Sequence, residues 1–237
     1  MAQKIIAVFG PSGPNPFSVT ASSLGEQIAA NHILLTGGSG IPDESVKEQA
    51  IVGAERAIRG GAAGRWIGVP KDGTRDASPS RGCGFLLRTG YHDERNYINA
   101  VLCDSAIALK GGPGTDSEVA FCVVLGRPVV LLGPGWDEFE RQLRQPASAG
   151  TAVAAMIDRM FPPSRSGDRP VDQAIRASRA ASATLSQVHV DSVASRDKAG
   201  EAVTIALNSS GCADRTEIGD LLGNDQAGRF LSWRSAA

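Results

Sequence analysis

Apolar positions in the first two thirds of the chain come in short unbroken runs, each cut off by glycine or proline, with helically periodic segments between them. Lys4 to Phe9 is the first run and stops at Gly10-Pro11-Ser12-Gly13-Pro14; Phe17 to Ala30 follows, with Leu24 and Ile28 one turn apart. The order recurs in Ile33 to Thr36, the turn Gly37-Gly38-Ser39-Gly40, and a helix from about Asp43 to Arg59 with Val46, Ala50, Ala54 and Ala57 on one face. A third strand, Trp66 to Val69, ends at Pro70. Residues 71 to 90, rich in Gly, Ser, Asp and Arg, read as a long connection. After it the pattern predicts a helix over Glu94 to Leu102, a strand over Ser105 to Leu109, a helix over Thr115 to Leu125 and a strand over Pro128 to Leu132. Continuously apolar strands alternating with helices are parallel and covered on two faces. The expected fold is therefore α/β, a doubly wound, mostly parallel, Rossmann-like sheet with helices on both faces and right-handed crossovers.

Beyond Gly133 the periodicity weakens. It supports helices from Ala152 to Met160 and from about Val171 to Ala183, a Pro/Ser/Arg connector from Phe161 to Pro170 between them, and a last strand and helix at Gln187 to Val190 and Arg196 to Leu207. A length of 237 residues, 42% of them hydrophobic, suits one domain with appendages. Residues 1–208 are read as that domain, and 209–237 as a tail that is either docked or partly disordered.

Composition narrows the partners. Lys+Arg 24 against Asp+Glu 25 leaves a net charge of -1 without long runs of one sign, so neither nucleic acid nor an anionic membrane is an expected partner. An aromatic content of 5% argues against base-stacking platforms. No apolar run approaches the roughly 20 residues of a membrane span, and Met1 to Phe9 is too short for a secretory signal. Cys83, Cys103, Cys122 and Cys212 lack C-x-x-C spacing and read as reduced thiols, which together with the absent signal suggests a cytoplasmic protein.

Three glycine turns follow strands: Gly10 to Pro14, Gly37 to Gly40, and Gly111 to Gly114. In a doubly wound sheet all three lie on the carboxyl edge, where ligands bind. Bare backbone N–H groups at a helix N-terminus make an anion site by geometry and by dipole. Gly10, Ser12, Gly37, Gly38, Ser39, Gly111, Gly112, Gly114 and Thr115 are accordingly the candidate phosphate-binding residues, although Ser12 and Ser39 have an equally ordinary reading as local turn caps. The second turn is not a dinucleotide fingerprint, because Asp43-Glu44 stands where a third glycine would be needed. Lys110 precedes its glycines instead of following them, which rules out a P-loop.

Two charges stand out near the third turn. Arg95 opens a helix, where the macrodipole disfavours a cation, so it is either a ligand-facing residue or a solvated Arg paired with Asp93 or Glu94. Glu118 closes the pattern Thr115-Asp116-Ser117-Glu118, which matches a capping box; the same carboxylate could instead face the cleft and act on a ribose, a water or a developing cation. His32, His92 and His189 form no cluster with Cys or carboxylate at ligand spacing, and no metal is expected.

With these residues in place, the chain resembles the LOG branch (lysine-decarboxylase-like phosphoribohydrolases) of the SLOG superfamily of Rossmann-like nucleotide-binding proteins. Val8-Phe9-Gly10-Pro11-Ser12 is similar to its first strand and turn, Leu35-Thr36-Gly37-Gly38 to its second turn, Gly111-Gly112-Pro113-Gly114-Thr115 with Glu118 to its P-G-G-x-G-T-x-x-E signature, and Arg95 to its essential Arg. Lys110 replaces the usual Pro, Asn96 replaces the Lys of the cytokinin-activating enzymes, and Gly40 to Glu44 departs from a G-L-M-G-like continuation; in these features the chain looks closer to the molybdenum-cofactor carrier proteins. The resemblance implies catalytic roles for Arg95 and Glu118 in hydrolysing the N-glycosidic bond of a nucleoside 5′-monophosphate, with no cofactor required. Its alternative is a carrier of a pterin-type molybdenum cofactor or of a signalling nucleotide. It also implies a homo-oligomer, a dimer or higher.

Overall fold

The computed structural model describes residues 3–73, 84–165, 167–185, 188–195, 197–209 and 218–235. Its strands are β1 (Ile5–Phe9), β2 (Ile33–Thr36), β3 (Arg65–Gly68), β4 (Gly84–Leu86), β5 (Ser105–Leu109), β6 (Val129–Leu132) and β7 (Val190–Val193). They form a seven-stranded sheet in the order β4-β3-β2-β1-β5-β6-β7, and every neighbouring pair is parallel. The sheet winds outward from β1 to β4, then returns to lay β5 on the other side of β1, so the topological switch lies between β1 and β5.

Period-2 alternation divides the apolar strands between two cores. Ile5, Ala7 and Phe9 of β1 face one side with Ala106 and Ala108 of β5, whereas Ile6 and Val8 face the other with Ile107 and Leu109. The first side is covered by α3 (Arg95–Leu102), α4 (Pro113–Val124), α5 (Asp137–Leu143), α6 (Pro146–Met160), α7 (Pro170–Ser182), α9 (Ile218–Leu222) and α10 (Asn224–Ser235). The second is covered by α1 (Ser18–Ala29), α2 (Val46–Arg59) and α8 (Ala199–Asn208). This is the doubly wound α/β fold that the periodicity predicts.

Helices α1 and α2 touch backbone to backbone. A methyl group on Gly25 would lie 1.8 Å from the Ala50 carbonyl oxygen, and one on Gly53 the same 1.8 Å from that of Ser22, so each helix supplies the glycine the other needs. The contact fixes α2, whose first turn stands behind the carboxyl edge of the sheet.

The structure departs from the sequence pattern at β4, α5, α6 and β7. The 71–90 connection contains β4, a three-residue edge strand paired with β3, with 74–83 outside the described residues. Residues 137–143 form α5, and α6 begins at Pro146 instead of Ala152. The last strand is shifted to Val190–Val193, two of whose residues are exposed at the sheet edge, which is why no apolar run marks it. Beyond residue 217, α9 and α10 pack on the first core through Ile218, Leu221 and Phe230; Tyr91 Oη donates to the Leu221 carbonyl at 3.0 Å and Arg65 Nη1 to that of Trp233 at 3.1 Å. Cys103 and Cys122 are free and buried with their sulfurs 3.8 Å apart; Cys83 and Cys212 lie outside the described residues. Among the described residues, no helix is long and apolar enough to cross a membrane.

Candidate functional site

The carboxyl ends of β1, β2 and β5 surround a cavity of about 420 Å³, a volume typical of small-molecule sites. Of the residues singled out in the sequence, Gly10, Ser12, Gly37, Arg95, Gly112, Gly114, Thr115 and Glu118 line it.

Helix α4 supplies the anion-binding end. Gly112 is its N-cap, with no side chain to close the helix, and Pro113 stands at the first helical position, where its missing N–H costs nothing. The amides of Gly114 and Thr115 fall in the first turn, which has no intrahelical acceptors, and both residues line the cavity. A methyl group on Gly112 would meet nothing within 4 Å. Gly111 does not line the cavity: its Cβ position is 2.3 Å from Thr115 Oγ1 and 3.0 Å from the Pro11 nitrogen, so it lets the first and third turns approach. Lys110 points away, lying 4.4 Å from the Trp136 ring centroid and pairing with Asp116, which also receives Arg159 at 3.2 Å.

The second turn is closed by the chain's own carboxylate. Glu48 accepts from the Ser39 amide at 2.6 Å, the Ser39 hydroxyl at 2.9 Å and the Gly40 amide at 2.9 Å, while the Gly38 amide donates to Thr36 Oγ1 at 2.8 Å. Gly38 and Ser39, expected among the phosphate-binding residues, are thus outside the cavity with their donors already engaged. Gly37 remains on the wall because Arg95 runs past it: a Cβ there would come within 2.0 Å of Arg95 Nη1.

Arg95 is not a solvated surface charge. It is 6% exposed, donates from Nη1 to the Val69 carbonyl at 3.0 Å, and has a buried Nε without a partner. Its sequence neighbours are taken by other cations: Glu94 by Arg165 at 2.9 Å and Arg169 at 2.7 Å, Asp93 by Lys71 at 2.6 Å. Burial pulls the guanidinium below its ordinary range, and Glu118 is the foremost carboxylate opposing that shift.

Glu118 does not cap the helix. Because α4 starts two residues before Thr115, Glu118 sits in its second turn, and its Oε1 accepts from Asn99 Nδ2 at 2.8 Å on the neighbouring α3. The side chain lines the cavity with Arg95, although among the described residues no ion pair joins the two. Burial pushes its carboxyl up to about 7, with Arg95 the largest influence holding it down and the Asn99 hydrogen bond the next. A raised folded-state pKa stabilises the fold fully below the ordinary glutamate range, and that contribution is lost as pH rises through about 7. Relative to Glu118→Gln, the wild-type protein is expected to lose about 3 kcal/mol of stability over that interval. Urea denaturation at several pH values checks this; parallel pH profiles for the two proteins would contradict it.

Lys47, Lys71 and Asn96 also line the cavity and were not anticipated. Lys47 and Lys71 project into the cavity from α2 and from the loop after β3; Asn96, beside Arg95, donates to Ser117 Oγ at 3.0 Å and the Gly114 carbonyl at 3.3 Å, bracing the α4 turn. Lys47 did carry a signal, since a cation in the first turn of a helix is as misplaced as Arg95. His92 is exposed and 3.2 Å from Asp93, and His32 accepts from the Lys4 amide at 3.3 Å. Among the described residues no group of three or more His, Cys, Asp or Glu is placed to hold a metal ion.

Comparison with known proteins places this geometry. The model of the SLOG cluster4 family matches residues 3–159. Among solved structures, the molybdenum cofactor binding protein from the phototrophic bacterium Rippkaea orientalis is similar at 25% identity and TM-score 0.57, over 88% of this chain and 99% of that one. The molybdenum cofactor carrier protein MCP from Chlamydomonas reinhardtii is similar at 26% identity and TM-score 0.55, over 87% of this chain and 99% of that one. No curated protein matches the chain.

Proposed function

Because the chain belongs to the SLOG cluster4 family, we propose that its cavity binds a phosphorylated small molecule of nucleotide or pterin size and that the protein acts as a carrier of it. The observation that carries this reading is the shared cavity of the uncapped α4 N-terminus and the buried, partly unpartnered Arg95. The phosphate sits on the Gly114 and Thr115 amides, where unsatisfied N–H groups and the helix dipole favour an anion. Arg95 supplies a permanent charge in a desolvated wall, where a charge-assisted hydrogen bond is strongest. The two molybdenum-cofactor proteins it resembles across nearly their whole length support a pterin-type molybdenum cofactor as the cargo. The group fits the site in one respect that this chain shows: an uncapped helix N-terminus at α4 in the same cavity as Arg95, Lys47 and Lys71.

Glu118 supports a second reading, hydrolysis of the N-glycosidic bond of a nucleoside 5′-monophosphate. A carboxyl held near 7 is partly ionised at neutral pH and can take a proton from an attacking water. It would also stabilise positive charge developing on the sugar ring, while the α4 amides fix the phosphate. Incubation with a panel of nucleoside 5′-monophosphates separates the readings, with release of free base followed by chromatography and binding followed by thermal shift. Stabilisation without base release supports the carrier. Base release abolished in Glu118→Gln supports the hydrolase, release that survives the substitution sinks the role assigned to Glu118, and no binding at all sinks both.

A further inference from the structure

Lys47 stands out among the charges of the cavity wall. It lies in the first turn of α2 and lines the cavity beside Gly37, yet among the described residues its ammonium has neither a hydrogen bond nor an ion pair. The adjacent Glu48 is committed to Ser39 and Gly40. Lys71, by contrast, is neutralised by Asp93 at 2.6 Å. Arg95 runs so close to Gly37 that a methyl group there would lie 2.0 Å from its Nη1, and among the described residues its buried Nε is likewise without a partner. Two cations thus share one wall with Glu118, whose Oε1 is already bonded to Asn99.

Holding like charges together out of water is unfavourable, and the helix dipole adds to the cost at Lys47. Burial, and then Arg95, pull the Lys47 ammonium below the ordinary lysine range, in agreement with this geometry. The arrangement becomes favourable when an anion enters between them. That anion is not the one at α4: Arg95 passes Gly37, and Thr36 Oγ1 donates to the Lys47 carbonyl at 3.3 Å, both at the end of β2, whereas the α4 turn follows β5, with β1 between. Two strand spacings place the backbones of the two sites roughly 10 Å apart, a gap that the reach of the Lys47 side chain shortens.

We propose that Lys47 and Arg95 form a second anion subsite, so that the ligand of this cavity is a phosphate ester bearing a further anionic group at its opposite end. The inference rests on the phosphate-binding reading given above and adds the ligand's chemical class to it. A neutral nucleobase or sugar at that end leaves the two cations facing each other; a carboxylate or second phosphate satisfies both.

Two matched pairs of probes test it. Uridine and orotidine 5′-monophosphates differ by a carboxylate on the base, and adenosine 5′-monophosphate and 3′,5′-bisphosphate by a second phosphate. Titration calorimetry on the full chain is expected to show the doubly anionic member of at least one pair binding about tenfold tighter, with that ratio collapsing toward one in Lys47→Gln. The unliganded Lys47→Gln protein should also melt higher than wild type, because a like-charge contact has been removed. Monophosphate binding with no preference in either pair, or a preference that survives the substitution, overturns the second subsite alone. A lower melting temperature for Lys47→Gln overturns it too, since Lys47 would then be a structural residue. Failure of every probe to bind removes the phosphate-binding reading and this inference together.

Discussion

Arg95→Ala is expected to weaken binding of a ligand anionic at both ends about 100-fold, the largest effect on binding of any single substitution in the cavity. A charge-assisted hydrogen bond is worth roughly 1.5–3 kcal/mol, and each 1.4 kcal/mol is about a factor of ten. Arg95 stands at the upper end because it is 6% exposed and therefore poorly screened. The substitution has a second, independent readout in Glu118. Arg95 is the main influence holding the Glu118 carboxyl down to about 7, so its loss should move that titration upward. Titration of Glu118 by carbon-detected NMR in the two proteins would show the shift. An unmoved Glu118 together with unchanged affinity would mean that Arg95 only ties α3 to the Val69 carbonyl.

Arg95 also shows what sequence could and could not reveal. Its position at a helix start marked it as misplaced, but the choice between a ligand-facing and a solvated residue depended on who paired with Asp93 and Glu94. The answer came from Arg165 and Arg169, some 70 residues away, and from Lys71. Glu118 was ambiguous for a different reason. A capping box requires the helix to begin at its Thr, and the actual start at Pro113 was concealed by glycines that are poor helix formers in the interior but suited to the end. The central strands were legible because burial on both faces leaves an unbroken apolar run. Strand β4 was not legible and β7 was displaced by three residues, because an edge strand needs few apolar residues. The second glycine turn was read as a ligand site since nothing local distinguishes a turn that waits for an anion from one that already has it in Glu48, eight residues downstream of Gly40.

The largest loss of stability is expected from Gly25→Ala or Gly53→Ala. Replacing a mid-helix glycine by alanine on an open surface gains up to about 1 kcal/mol from helix propensity. Here the new methyl would sit 1.8 Å from a carbonyl oxygen of the opposite helix, and backbone cannot rotate away as a side chain can. Overpacking costs about 1–3 kcal/mol and occasionally more, and a clash with backbone falls at the upper end, so it outweighs the propensity gain. A net loss of about 2–3 kcal/mol corresponds to a melting temperature roughly 5–10 °C lower in a chain of this size. Gly228→Ala on α10 is the control, for its Cβ would meet nothing within 4 Å and only the propensity term remains. Calorimetric melting of the three variants decides it; equal behaviour of Gly25→Ala and Gly228→Ala would show that α1 and α2 do not touch as described. Because α2 carries Lys47 and Glu48, the Gly25 and Gly53 variants should also bind ligand less tightly at temperatures where they are still folded.

Glu48 gives the cavity a polarity. The turn after β2 is permanently occupied by a carboxylate belonging to the protein, while the turn after β5 is left open. Two turns of similar composition, one on either side of β1, therefore differ in what they offer a phosphate: backbone amides after β5, the side chains of Lys47 and Arg95 after β2.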